Sequence, residues 1–153
     1  FPIGACGGST KIMNSLAPEG SVYQAGTLSG NPVCVAAGIA TLKMLKSKNP
    51  YAALNKKTQK LCTAISKALN EKSIPHTINQ IGSMFTLFFN PEKVTDYTSA
   101  VKSDTTRFAK YFKQMLKQGI YLPPSQFEAC FLSTQHTNKD IDKTIAAVKN
   151  LKI

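Results

Sequence analysis

Apolar positions recur along this chain with two different periods, and the switches between them outline its elements. Val33, Ala36, Ala37, Ala40, Met44 and Leu45 fall three or four apart, a spacing that places side chains on one helix face. They predict a long helix over 32–46. No charge occurs in it before Lys43, so its first turns are expected to be buried nearly all round. Asn49-Pro50 ends that helix and begins a second, expected over 50–72. Leu54, Leu61, Ile65, Ala68 and Leu69 form its apolar face, with Lys56, Lys57, Lys60 and Lys67 on the other sides. A shorter helix is expected over 9–16, carrying Ile12, Met13 and Leu16, before Ala17-Pro18-Glu19-Gly20 breaks it.

After Pro75 the pattern changes. Residues 76–80 suit a short strand, and 84–89 (Met-Phe-Thr-Leu-Phe-Phe) are the strongest strand signal in the chain. Residues 129–133 read as another strand. Residues 95–102 fit a helical turn. Phe108, Tyr111, Phe112, Met115 and Leu116 stripe a helix that Asp104 or Thr105 can cap and Gly119 can close. Thr137, with Asp140 in the first turn, caps a last helix whose stripe is Ile141, Ile145, Val148 and Leu151. A run of helix, strands, helix, strand, helix suits an α+β layer: a mostly antiparallel sheet with helices on one face. The shift in composition near 46–50 divides the chain into 1–46 and 47–153, and the overall class is α/β.

One stretch stands outside these patterns. In Tyr23-Gln24-Ala25-Gly26-Thr27-Leu28-Ser29-Gly30-Asn31-Pro32, most residues are small or able to donate a hydrogen bond. Gly26 and Gly30 permit sharp turns and close approach, Thr27 and Ser29 offer hydroxyls, and Asn31-Pro32 reads as an N-cap followed by the first helical residue. A small-residue loop feeding a helix suits a phosphate, through N–H donors and the helix dipole. It also suits a plain turn before a buried helix.

Charge and cysteine change this picture little. The balance of 19 basic against 8 acidic residues gives +11, which admits a nucleic-acid partner. The lysines, however, are spread over several expected helices and Arg107 is the single arginine, whereas base readers favour clustered arginine. Solvated lysine faces are the favoured reading, with no nucleic acid and no membrane among the expected partners. Cys6, Cys34, Cys62 and Cys130 are scattered, and His76 and His136 are isolated, so no zinc spacing is present. Cys34 and Cys130 read as buried thiols of a reducing compartment, the cytoplasm by default. Neither histidine has a neighbour that supports acid–base work, and His136 reads as a loop or capping residue.

Three stretches, in order, cover the chain: Phe1-Pro2-Ile3-Gly4-Ala5 with Gly7-Gly8, then the 22–32 run VYQAGTLSGNP, then Gly119-Ile120-Tyr121-Leu122-Pro123-Pro124-Ser125-Gln126-Phe127-Glu128-Ala129. Together they resemble the class-III aminotransferase family of pyridoxal 5′-phosphate (PLP) enzymes, and AGTLSGNP and PSQFEA resemble its aminomutases in particular. The resemblance implies a C-terminal portion of such an enzyme, with 1–46 ending the large PLP-binding domain and 47–153 forming the small domain. It implies PLP as cofactor and a homodimer whose active site is shared across the interface. Gly26 and Thr27 would bind the phosphate of the neighbouring subunit's cofactor. Glu128 would lie at the substrate end of the site, holding an arginine or the substrate amine, with Ser125 and Gln126 shaping the same entrance. Tyr23 would stack near the cofactor or pack under the loop. The family's Schiff-base lysine is expected upstream of Phe1, so no catalytic residue is assigned here and the chain alone is expected to be inactive. An ordinary class-III aminotransferase is the alternative enzyme, and a basic nucleic-acid-binding module the alternative from another class.

Overall fold

Capping chemistry fixes most of the element boundaries in the computed structural model, which describes residues 1–153. The chain forms two units, Phe1–Asn49 and Pro50–Ile153. The first holds α1 (Thr10–Met13) and α2 (Pro32–Lys48). Asn31 caps α2 as its sequence position suggests. Its Oδ1 accepts the N–H groups of Val33 and Cys34 at 3.1 and 3.2 Å, and Pro32 takes the first helical position. The helix closes at Asn49, whose φ of 38° lies in the left-handed region. Between the helices the chain doubles back so tightly that a Cβ on Gly20 would lie 2.2 Å from the Ser15 carbonyl.

The burial expected for α2 is not found. Cys34 is the only buried residue in this unit. Leu42 is 67% exposed, and Val33, Ile39 and Met44 are exposed as well. The cause is the sequence pattern itself. An apolar surface all round a helix needs neighbours on several sides, and this unit offers only a one-turn helix and a few loop side chains such as Ile3, which lies over Gly38. The first helix is also shorter than 9–16, because the chain turns after Met13.

The second unit runs α3 (Tyr51–Asn70), β1 (Thr77–Ile81), β2 (Met84–Phe88), α4 (Tyr97–Ala100), α5 (Thr105–Lys117), β3 (Cys130–Phe131) and α6 (Asn138–Lys149). Its sheet has the order β1-β2-β3 and is antiparallel throughout. Ile81 pairs with Met84 across a two-residue hairpin in which Gly82 takes φ 55°, a position where glycine is favoured. Asp104 caps α5 by accepting the Arg107 N–H at 2.8 Å. Gly119, at φ 76°, ends α5: Gly119 N–H bonds Leu116 O and Ile120 N–H bonds Met115 O, the two bonds of a Schellman motif. Thr137 and Asp140 form the expected capping box on α6.

The core follows from these periods. Phe85, Leu87 and Phe89 alternate onto one sheet face, where they meet Leu61, Ile65 and Leu69 of α3, Tyr111 and Met115 of α5, and Ile141 and Val148 of α6. The Phe89 and Tyr111 rings meet edge-on at 5.5 Å. Each such side chain contributes roughly 1.5–3 kcal/mol by leaving water. One strand departs from expectation: of 129–133 only Cys130 and Phe131 join the ladder. The turn at 125–128 pulls the preceding residues away from β2.

Candidate functional site

The 26–31 loop is built from two successive tight turns. Ser29 N–H donates to Gly26 O at 2.9 Å and Asn31 N–H to Leu28 O at 3.1 Å. A Cβ on Gly26 would lie 2.8 Å from Ser29 Oγ, a contact the hydroxyl relieves by rotating, whereas Gly30, at φ 71°, takes a left-handed conformation that favours glycine. These turns leave the N–H groups of Thr27, Leu28 and Gly30 and the Thr27 hydroxyl without partners in the chain, and all are solvent-exposed. The first turn of α2 is different. Asn31 already takes its N–H groups, so the helix offers an anion its dipole but not those donors. A cleft of about 460 Å³ opens beside the loop, lined by Ile3, Gly4, Gly26, Leu28, Ser29 and Val35, among others. No charged residue occurs between Glu19 and Lys43, so the donors this stretch offers an anion are all neutral. Tyr23 projects outward, 82% exposed, and does not pack under the loop.

The second place is the 125–128 turn of the other unit. Glu128 N–H donates to Ser125 O at 3.2 Å, and Ser125 N–H donates back to Glu128 Oε2 at 3.3 Å. Ser125 Oγ accepts from Phe127 N–H at 3.2 Å. One carboxylate oxygen of Glu128 is thus held by the turn, while the side chain as a whole is exposed. Gln126, grouped with Ser125 from the sequence, is different: it is 3% exposed and turned inward. Its Nε2 donates to Leu87 O at 2.7 Å and its Oε1 accepts Phe89 N–H at 3.4 Å. The sequence signal for this was an amide two residues beyond a double proline, which does not distinguish an outward from an inward side chain.

Both histidines and two of the thiols sit in structural surroundings. His76 bridges Ile74 O at 2.9 Å and Ser66 Oγ at 2.8 Å. His136 Nδ1 accepts Ser133 N–H at 2.9 Å, and its carbonyl takes the ammonium of Lys57, a lysine read from the sequence as solvated. Burial, and then Cys130, pushes the Cys62 thiol up to about 12. Burial, and then the Glu128 carboxylate, raises Cys130 to about 11. Both thiols are protonated at neutral pH and therefore poor nucleophiles. No group of histidine, cysteine and carboxylate side chains could hold a metal ion, and no helix is long and apolar enough to cross a membrane.

Residues 1–149 match the family model for aminotransferase class-III. The chain belongs to the class-III aminotransferase family. Within it, the chain is 49% identical over 150 residues to the glutamate-1-semialdehyde 2,1-aminomutase of Aquifex aeolicus, covering 98% of this chain and 35% of that one. It is 51% identical over 149 residues to the enzyme of the same name from Desulfosudis oleivorans, covering 97% and 35%. It therefore spans about a third of the length of these curated relatives. Among solved structures it is similar to a β-phenylalanine aminotransferase from Variovorax paradoxus, with TM-score 0.81, 26% identity, and 94% of this chain and 33% of that one covered. An omega-transaminase from Sphaerobacter thermophilus, at TM-score 0.76 and 20% identity, shares the fold, with 94% and 33% covered.

Proposed function

We propose that these residues are the part of a PLP-dependent aminomutase that steadies the cofactor phosphate and receives the substrate. The observation that carries the reading is identity of about half to two glutamate-1-semialdehyde 2,1-aminomutases over nearly the whole of this chain. On this reading residues 1–46 end the large cofactor-binding domain and 47–153 form the small domain. The whole enzyme converts glutamate 1-semialdehyde into 5-aminolevulinate, the tetrapyrrole precursor, as a cytoplasmic homodimer.

The loop donors fit a phosphate. The Thr27 hydroxyl and the N–H groups of Thr27, Leu28 and Gly30 are free of partners in the chain, and hydrogen bonds to an ionised acceptor are about twice as strong as neutral ones. Gly26 lets the turn present them. Gly26 and Thr27 serve the cofactor bound in the partner subunit. When bound, PLP supplies the electron sink that lets an amino group move between neighbouring carbons. Glu128 accepts from a substrate ammonium or an arginine, while Ser125 fixes the carboxylate's direction through its N–H. No lysine lies between Lys11 and Lys43, so the covalent step belongs to residues outside this loop.

The test is formation of 5-aminolevulinate from glutamate 1-semialdehyde by the full-length enzyme carrying this chain. Turnover without a second substrate is expected. An obligatory keto acid would make the enzyme an ordinary aminotransferase and overturn the aminomutase reading. The chain alone should show no turnover, and borohydride reduction with PLP should mark no single lysine stoichiometrically.

A further inference from the structure

The register of β2 against β3 explains why Gln126 is buried. Met84 pairs with Phe131 and Phe85 with Cys130, and Leu132 N–H donates to Ser83 O. Continued along the ladder, that register would set Glu128 opposite Leu87 and Gln126 opposite Phe89, each as a hydrogen-bonded pair. The chain does not continue it. Glu128 N–H instead turns to Ser125 O, and the side-chain amide of Gln126 takes over two of the four bonds the ladder would have made, to Leu87 O and from Phe89 N–H, while Phe89 O accepts Asp104 N–H at 2.9 Å. A buried carbonyl and N–H left open would be costly, so without this amide the strand would gain by straightening onto β2. Straightening would return the Glu128 N–H to Leu87 and dissolve the turn that holds its carboxylate.

We propose that Gln126 is a positioning residue: its buried amide stands in for a strand, lifts Ser125 and Glu128 out of the sheet, and so sets where the Glu128 carboxylate meets substrate. This rests on the substrate role of Glu128 proposed above.

The experiment uses the full-length holoenzyme with Gln126→Met, Glu128→Gln and the double substitution. Methionine keeps the shape and removes both hydrogen bonds. Gln126→Met should raise KM about tenfold with kcat within about twofold, since a positioning loss acts mainly on binding. The PLP absorbance should be retained. The double variant should be no worse than Glu128→Gln alone, because one residue acts through the other. Multiplying effects, or loss of PLP with unchanged KM, would overturn the inference. An unchanged KM in Glu128→Gln would overturn the substrate reading and the inference with it. Amide exchange on the chain itself separates the two failures. In Gln126→Met, Ser125, whose N–H loses the turn carboxylate, should exchange faster, while Phe89 and Glu128 stay protected in the restored ladder and Ile65 and Leu69 do not change; unchanged exchange at Ser125 overturns the inference even if Glu128 proves essential. Gln126→Glu, which keeps the acceptor for Phe89 N–H, is read the same way if Gln126→Met does not fold.

Discussion

Helices α2 and α3 are 17 and 20 residues long and both carry many apolar side chains, yet they end in opposite situations. In α3 the apolar residues form one face, and six of its residues are buried. In α2 they surround the axis, and only Cys34 is buried. The difference shows how burial divides labour here. The second unit makes its own core from a helix stripe, a strand face and two further stripes. The first unit carries its apolar surface outward and spends its specific geometry on the 26–31 loop.

The sharpest way to break this comparison is to truncate one side chain in each helix. Ile65→Ala removes a residue that is 1% exposed and should lower the stability of the second unit by about 2–5 kcal/mol. Leu42→Ala should change it by less than about 0.5 kcal/mol. Urea unfolding of the chain, followed by amide exchange resolved by helix, reads both. Equal losses would mean that α2 shares the core of α3.

A smaller effect lies at the caps. Asp140 is held below the usual carboxylate range by the Thr137 hydroxyl and then the Thr137 N–H, and Asp96 by the Ser99 N–H and then its hydroxyl. A carboxylate with a lowered folded value contributes stability above its unfolded value, and that contribution is lost as pH falls through the folded value. Fraying at the starts of α6 and α4 should therefore increase only on the acid side. Thr137→Ala should bring Asp140 back toward an ordinary carboxylate value in an NMR titration. An unmoved titration would mean that the capping box does not hold it.

The smallest effect is chemical and leaves the fold intact. Cys6 is exposed, while Cys62 is buried and its thiol stays protonated up to about 12. A thiol reagent at pH 8 should label Cys6 quickly, and Cys62 and Cys130 only on unfolding. Rapid labelling of Cys62 would show that the second unit opens far more readily than its core implies.

Much of this architecture was legible in the residues, for physical reasons. The Asp104, Gly119 and Thr137 signals act within a few residues and survive any tertiary context, as do the apolar, aromatic strand signal of 84–89 and the stripes of α3, α5 and α6. Tertiary choices were not legible in the same way. An apolar run predicts that α2 wants neighbours, not whether the chain contains them. A strand-like 129–133 gives only Cys130 and Phe131 to the ladder, and the inward turn of Gln126 depends on β2 lying beside it. At the loop, the residue types announced a close-approach turn. That Asn31 consumes the first N–H groups of the helix, leaving the turn itself as the donor set, needed coordinates.

Retention of PLP by the full-length protein tests the central proposal, that the 26–30 turn holds the cofactor phosphate. Thr27→Val keeps shape and β-branching and removes one hydroxyl, while Ser29→Ala removes its neighbour's. Losing one charge-assisted hydrogen bond costs roughly 1.5–3 kcal/mol, so Thr27→Val should weaken retention about ten- to hundredfold and loosen the dimer with it by linkage. Ser29→Ala should retain PLP nearly as well as the parent. Wild-type retention in both variants, or a loss confined to Ser29→Ala, would contradict the account.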